Sequence, residues 1–139
     1  MSEENLVREA NDRFYRAFES LSLEAMEAVW ANDDRAQCVH PGWDLLVGWD
    51  AVRRSWEIIF KNTMEIRFTL GDVHIRITGP MARVTCTENI LSQSHGNVSV
   101  TSVLTTNLFE RTSGEWQMVH HHASHIFSEP PPSESETLL

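Results

Sequence analysis

The chain has 139 residues, of which 41% are hydrophobic, so it is long enough for one globular domain with a single core. Its 20 acidic residues outnumber its 11 basic residues, and the net charge of −9 argues against nucleic acid and anionic membrane surfaces as partners. The start of the chain lacks a signal-peptide pattern, and no apolar run approaches the roughly 18 residues of a membrane span, so we expect a cytoplasmic protein.

Three amphipathic helices are predicted in the first half of the chain. Apolar residues recur at helical spacing over residues 6–18 and again over residues 22–30, where the Ser22 hydroxyl suits the N-cap position. A third helix is predicted over residues 50–60. The first two helices are expected to form a hairpin.

The rest of the domain is predicted to be strand. A short strand over residues 36–40 ends at a Pro-Gly pair, and a loop follows it. After Asn62 the period of the apolar residues changes to two, and turns separate segments near residues 73–78, 82–90, 98–110 and 115–124. Helices followed by a four-stranded antiparallel meander predict an α+β fold.

The domain is expected to span residues 1–127. Residues 128–139 are polar, acidic and rich in proline, which is typical of a disordered tail. Cys38 and Cys86 lie in no paired motif, so we interpret them as packed, reduced thiols.

Three consecutive histidines, His120, His121 and His122, lie in the last predicted strand. Alternation places His121 on the inner face with Gln117 and Val119, and it places the other two histidines on the outer face, where interface hydrogen bonding is their expected role. A core imidazole bonded to a backbone carbonyl is the alternative for His121. No third ligand at a suitable spacing accompanies the outer pair, so no metal site is expected.

Glu88 is the one charged residue on an otherwise apolar strand face. A buried carboxylate is costly unless it is paired, protonated or near water. We expect it to pair with His40 or His121, either as an acid/base pair or as a structural pair, and a solvated strand end is the third alternative.

Aromatic residues are concentrated in the helical half of the sequence. A cluster of indoles beside polar groups suits an apolar ring-containing ligand, although core packing is the default role of such residues. The predicted ligand-binding side chains are Phe14, Trp30, Trp43, Trp56 and Phe60.

The order of elements and three local motifs carry a family resemblance. The motifs are Trp30-Ala31-Asn32-Asp33-Asp34, His40-Pro41-Gly42 and Gly114-x-Trp116-x3-His120-His121-His122-x-Ser124. From about Asn5 to Ile126 the chain resembles the nuclear transport factor 2-like superfamily, and within it the SnoaL-like and ketosteroid isomerase-like proteins. The resemblance implies a cone-shaped half-barrel, in which a curved, mainly antiparallel sheet wraps around three N-terminal helices and encloses a deep pocket.

The same resemblance implies candidate catalytic residues. His40 occupies the position of the aspartate that removes a proton beside a carbonyl in ketosteroid isomerase-like members, and a neutral imidazole can perform that step. A structural or substrate-positioning role for His40 is the alternative. The implied oxyanion donors are Tyr15 and Asn107, and His121 or Glu88 would return or relay the proton. We therefore expect a small apolar ligand and an isomerase, dehydratase or cyclase.

A non-catalytic role is the second hypothesis. The final motif also resembles the association domain of calcium/calmodulin-dependent kinases, which forms rings and lines its pocket with arginines. The matching positions here are Glu88, Asn107 and Ala123, so a homodimer is favoured over a ring. The sequence contains no glycine-rich phosphate loop, and we expect no cofactor.

Overall fold

The computed structural model describes residues 2–127. Within them, three helices and one six-stranded sheet form an α+β cone, as predicted. The helices are α1 (Glu3–Ser20), α2 (Leu23–Val29) and α3 (Trp49–Lys61), and the strands are β1 (Gln37–Val39), β2 (Leu46–Val47), β3 (Glu65–Thr78), β4 (Met81–Ser94), β5 (Asn97–Thr112) and β6 (Glu115–His125). The predicted tail at residues 128–139 lies outside the described residues.

Side-chain caps explain where the first two helices begin. The Ser2 hydroxyl accepts a hydrogen bond from the backbone N–H of Asn5 and caps α1. The Ser22 hydroxyl accepts one from the backbone N–H of Ala25 at 3.1 Å, which confirms the predicted N-cap of α2. Leu21 between them has a φ of 55°, in the left-handed conformation that ends a helix.

The predicted antiparallel meander is confirmed for β3 to β6. At one end of the sheet, β1 pairs in parallel with β6, and β2 pairs antiparallel with β1, which gives the order β2-β1-β6-β5-β4-β3. Strand β2 lies in a segment predicted to be a loop, because two residues carry too little periodicity to indicate a strand.

Two irregularities decide which side chains face the helices. Between Gly71 and His74 the pairing of β3 with β4 shifts, so that Phe68 and Ile75 lie on the same face despite their odd spacing. A second shift pairs Leu108 with His120 but Phe109 with Met118, and it leaves one extra residue in β6.

The second shift corrects one prediction for β6. Asn107 pairs with His121 and Phe109 pairs with Met118, so Met118 shares the inner face with His121. Gln117 pairs with Glu110 on the other face. The prediction that Gln117 shares a face with His121 is therefore wrong, because simple alternation does not continue through a bulge.

The core lies between the helices and the inner face of the sheet. Aromatic rings fill its centre: the Phe18 and Trp56 centroids are 4.8 Å apart, and those of Phe14 and Trp56 are 5.7 Å apart. Cys38 and Cys86 are buried free thiols within it, as predicted. In the described part of the chain, each helix is too short or too polar to cross a membrane.

Candidate functional site

All five predicted catalytic side chains lie inside the cone. Each of His40, Tyr15, Glu88, Asn107 and His121 is at most 4% exposed. They form two groups with different surroundings. We call Asn11, Tyr15, Glu88, Asn107 and His121 the polar chain, and we call His40, Ser55 and Trp56 the His40 cluster.

The polar chain joins α1 to three strands. Asn11 and Tyr15 are one turn apart on the buried face of α1, and Glu88, Asn107 and His121 project from β4, β5 and β6. Asn107 and His121 are direct partners in the β5–β6 pairing, which brings their side chains together.

Hydrogen bonds connect the polar chain without a gap. The Tyr15 hydroxyl donates to Glu88 Oε2 at 2.5 Å and accepts from Asn107 Nδ2 at 3.1 Å. Asn107 Nδ2 also donates to Asn11 Oδ1 at 2.9 Å, and Asn107 Oδ1 is 2.6 Å from His121 Nδ1, which must therefore carry the proton. His121 Nε2 then carries the lone pair of the ring.

Burial sets the charge of these groups. It raises the pKa of Glu88 to about 7, against the opposing effect of the Tyr15 hydrogen bond. It raises the pKa of Tyr15 well above its usual value, and the Glu88 carboxylate adds to that rise. It lowers the pKa of His121 well below its usual value, with a further contribution from His40. At neutral pH, Tyr15 and His121 are uncharged, and burial favours the neutral form of Glu88.

His40 follows β1 and is held by a residue of α3. Its Nε2 is 2.9 Å from Ser55 Oγ, and Ser55 donates its single proton to the Val52 carbonyl at 2.6 Å. Ser55 can therefore only accept from His40, which places the imidazole proton on Nε2 and the lone pair on Nδ1. Burial lowers the pKa of His40 to about 4, so the ring is neutral at physiological pH.

The two imidazoles are close to each other within an aromatic surround. Their centroids are 6.3 Å apart. The Trp56 ring lies 4.7 Å from His40 and 6.0 Å from His121, and the Trp43 ring lies 5.0 Å from His40. Phe14 lies 4.9 Å from His121. Two unprotonated ring nitrogens thus lie close together in an aromatic interior.

The aromatic residues predicted to bind a ligand differ in position. Trp30 is a core residue whose indole N–H donates to Met26 Sδ at 3.3 Å. Trp43 is 39% exposed and Phe60 is half-buried, so these two lie between the interior and solvent. Five surface cavities of residues 2–127 are lined by none of the polar chain and none of the His40 cluster.

One predicted pairing is wrong and two predicted donors are engaged. Glu88 pairs with Tyr15 and not with His40 or His121, because the α1 face turns the phenol towards β4. Both amide protons of Asn107 and the single hydroxyl proton of Tyr15 are used within the polar chain. Neither side chain has a free proton for an oxyanion in this arrangement.

Asn11 and Ser55 are site residues that the sequence reading missed. Each is a polar residue on the apolar face of its helix: Asn11 lies next to Ala10 and one turn before Tyr15, and Ser55 precedes Trp56. A buried polar residue on an amphipathic helix needs a hydrogen-bond partner, and that requirement was the available signal.

The outer histidines are separate from this interior. His120 Nδ1 is 3.3 Å from Gln37 Oε1, and His122 is exposed. Burial, together with His122, lowers the pKa of His120. Within residues 2–127, no group of three or more His, Cys, Asp or Glu side chains is placed to hold a metal ion.

Comparisons with known proteins agree with this architecture. Residues 7–128 match the SnoaL-like domain family. A proposed dehydratase of the NTF2-like family from Streptomyces avermitilis is 40% identical, with a TM-score of 0.84, over 89% of this chain and 96% of that one. A proposed calcium/calmodulin-dependent protein kinase type II association domain from Thiobacillus denitrificans is 34% identical, with a TM-score of 0.76, over 85% and 93%.

A plant protein shares the same region. F-box protein SKIP8 of Arabidopsis thaliana is 34% identical over 114 residues, which cover 82% of this chain. The chain spans about half of that relative, since the matched region is 47% of its length.

Proposed function

The chain belongs to the SnoaL-like domain family, and from this premise we propose that its interior binds a small molecule and moves a proton on it without a cofactor. One observation carries the proposal: Ser55 Oγ lies 2.9 Å from His40 Nε2 and fixes the lone pair of the ring on Nδ1, which contacts only the weak thiol donor of Cys38 at 3.9 Å among the described residues. A neutral, oriented imidazole in an apolar interior has the properties of a general base.

The proposed reaction is proton transfer at carbon next to a carbonyl. The C–H bond breaks, its proton moves to His40 Nδ1, and its electron pair moves into the carbonyl group to form an enolate. The imidazolium then returns the proton, either to the same carbon or to a neighbouring one. His121, whose ring centroid is 6.3 Å from that of His40, supplies a second lone pair at Nε2 for a relay.

The polar chain positions His121 in this proposal. Asn107 Oδ1 accepts a hydrogen bond from the Nδ1–H of His121. The Asn107 amide is itself held by its hydrogen bonds to Tyr15 and Asn11. Glu88 holds the Tyr15 hydroxyl. We assign these residues a positioning role, in place of the oxyanion role that the family resemblance implied for Tyr15 and Asn107.

Exchange of the carbon-bound protons of cyclohexanone in D2O, followed by NMR, tests the proposal. We expect wild-type protein to accelerate the exchange, and His40→Gln to reduce the acceleration about 100-fold. His122→Gln, which removes an exposed imidazole, is the matched control and should retain the wild-type rate. Because a protonated Nδ1 cannot accept a proton, the rate should fall as the pH drops through about 4. Equal rates for His40→Gln and wild type would refute the assignment of His40.

We also propose that the protein is a homodimer through the outer face of the sheet. Exposed apolar residues lie together there. Val100 is 79% exposed and pairs with Leu91 of β4, and Val98 and Leu104 lie on the same face of β5 as Val100. Val100→Asp should convert a dimer to a monomer in size-exclusion chromatography with light scattering. A wild-type monomer would contradict this proposal.

An assembly domain without catalysis is the second candidate function. The similarity to a proposed kinase association domain favours it, as does the matching region in a longer F-box protein. Native mass spectrometry separates the candidates. A dimer that carries a discrete organic mass supports the ligand-binding function, and a larger ring with no added mass supports assembly.

A further inference from the structure

The indole N–H of Trp56 has no hydrogen-bond acceptor among residues 2–127, although the side chain is completely buried. An unpartnered buried donor costs about 1 to 3 kcal/mol, and native structures contain few of them. Trp30 provides a comparison inside the same aromatic core, since its indole N–H donates to Met26 Sδ. The core can therefore supply an acceptor for an indole N–H, as it does for Trp30, but it supplies none for the N–H of Trp56.

The surroundings of Trp56 distinguish it from Trp116, whose indole N–H also lacks a partner. Trp116 lies at the start of β6, beneath the Arg111 guanidinium, which is 5.4 Å from its ring centroid. The Trp56 ring instead forms a triangle with the rings of His40 and His121, with sides of 4.7, 6.0 and 6.3 Å. A donor and two unprotonated ring nitrogens thus occupy one small region.

The charges of the interior restrict what can bind there. The buried polar and charged side chains of the described residues are Asn11, His40, Ser55, Glu88, Thr105, Asn107 and His121. They include no lysine and no arginine, and Glu88 adds negative charge when it is ionised. A carboxylate or phosphate placed there would have no cation to pair with, whereas an uncharged oxygen needs only an N–H donor.

We propose that the interior binds an uncharged carbonyl compound, whose oxygen accepts a hydrogen bond from the Trp56 indole N–H while the neighbouring carbon lies against His40. This inference rests on the proposed function and deepens it. The Trp56 N–H that donates to the carbonyl oxygen before proton transfer also donates to the enolate oxygen that forms from it. Trp56 takes the role that Tyr15 and Asn107 cannot fill while their protons are engaged within the polar chain.

The first experiment uses wild-type protein and needs no variant to fold. The indole N–H signals of the five tryptophans are followed by ¹H–¹⁵N NMR during titration with cyclohexanone. Parallel titrations use methylenecyclohexane, in which CH₂ replaces the oxygen, and cyclohexanecarboxylate, which adds a negative charge. The Trp56 signal is assigned through its contacts with the His40 ring.

We expect cyclohexanone to move the Trp56 indole proton downfield. Methylenecyclohexane should bind without that shift, and cyclohexanecarboxylate should bind at least tenfold more weakly than the ketone. A Trp56 shift of equal size with the ketone and the hydrocarbon would overturn the inference. So would binding of the carboxylate as tight as that of the ketone.

The second experiment compares Trp56→Phe with Trp30→Phe. Each variant removes an indole N–H and keeps an aromatic ring, but only the Trp56 donor is free in the structure. Trp56→Phe should weaken ketone binding about tenfold and hydrocarbon binding less than twofold, while Trp30→Phe should weaken both equally. Equal losses for both ligands in Trp56→Phe would overturn the inference.

The outcomes separate this inference from the proposed function. If neither the ketone nor the hydrocarbon binds wild-type protein, the ligand-binding function and the inference are both wrong. If both bind, and exchange at carbon depends on His40 but Trp56 fails the tests above, only the inference is wrong.

Discussion

The polar chain and the His40 cluster are equally buried but differ in how their hydrogen-bonding groups are used. In the polar chain, both amide protons and the carbonyl oxygen of Asn107 are bonded, and the Tyr15 hydroxyl both donates and accepts. In the His40 cluster, one side of the imidazole is bonded to Ser55, and the Trp56 indole N–H has no acceptor among the described residues.

The difference suggests a division of roles within one interior. A saturated network stabilises a single arrangement of its members and has little capacity left for a ligand. A group with free donors and lone pairs carries an energetic cost that a bound molecule can remove. We therefore expect substitutions in the polar chain to act on stability first, and substitutions in the His40 cluster to act on ligand binding first.

Asn107→Leu should have the largest effect. It keeps the approximate volume of the side chain but leaves the His121 Nδ1–H and the Asn11 carbonyl oxygen without a bonded partner. We expect a loss of about 3 to 5 kcal/mol in the free energy of unfolding, measured with urea. Asn89→Leu, at an exposed amide of β4, is the control and should change stability by less than about 1 kcal/mol. Similar losses of stability in Asn107→Leu and Asn89→Leu would show that the polar chain does not stabilise the fold more than an exposed amide does.

Glu88→Gln should alter how stability depends on pH. The pKa of Glu88 rises from 4.5 to about 7 on folding, so its contribution to stability is complete below pH 4.5 and is lost as the pH rises through about 7. Glutamine does not titrate. The free energy of unfolding of the variant, relative to wild type, should therefore increase by about 2 to 3 kcal/mol between pH 5 and pH 8. Glu115→Gln, at an exposed carboxylate, is the control and should show no such increase. If the stability difference between Glu88→Gln and wild type did not change between pH 5 and pH 8, the raised pKa of Glu88 would be contradicted.

Ser55→Ala should have a smaller effect on stability and a specific effect on His40. It removes the hydroxyl acceptor of the His40 Nε2–H and leaves it only the weak sulfur acceptor of Cys38, at a cost of about 1 to 2 kcal/mol. The imidazole is then free to carry its proton on either nitrogen. Long-range ¹H–¹⁵N spectra should show the Nε2–H tautomer in wild type and a mixture in the variant. A single unchanged tautomer would show that Ser55 does not set the position of the proton.

The smallest expected effect is the difference in stability between Trp56→Phe and Trp30→Phe. Both remove similar volume, but only Trp30→Phe also removes a hydrogen bond, while Trp56→Phe removes an unpartnered donor. Trp56→Phe should therefore destabilise the protein by at least about 1 kcal/mol less than Trp30→Phe in urea unfolding. The opposite order would mean that the Trp56 N–H has a partner in solution.

The sequence predicts those parts of the fold that depend on neighbouring residues. The Ser22 cap and the three helices follow from short spacings, and the structure confirms them within about three residues at each end. The bulge beside Val119 and the two-residue strand β2 depend on which strand lies alongside, and that information is not local.

The same limit applies to the interior. Alternation predicted that His121 faces the interior and that Glu88 lies on an apolar strand face, and both side chains are buried. It could not predict that Glu88 pairs with Tyr15, because that contact depends on how α1 is rotated against β4. The hydrogen bond between His40 and Ser55 likewise requires α3 to pack beside β1.

The parallel pairing of β1 with β6 has a consequence for the synthesis of the protein. Gln37 in β1 and His120 in β6 are in contact although they are 83 positions apart in the chain. Contacts of such long range form late, since closing a large loop costs entropy before any contact is gained. On the ribosome, the edge of β1 that pairs with β6 has to remain open until residues 120–122 emerge, several seconds later at the usual rate of roughly 5 to 20 residues per second. The interior around His40 is therefore completed only near the end of translation of this domain, and until then the nascent chain exposes an edge that chaperones can recognise.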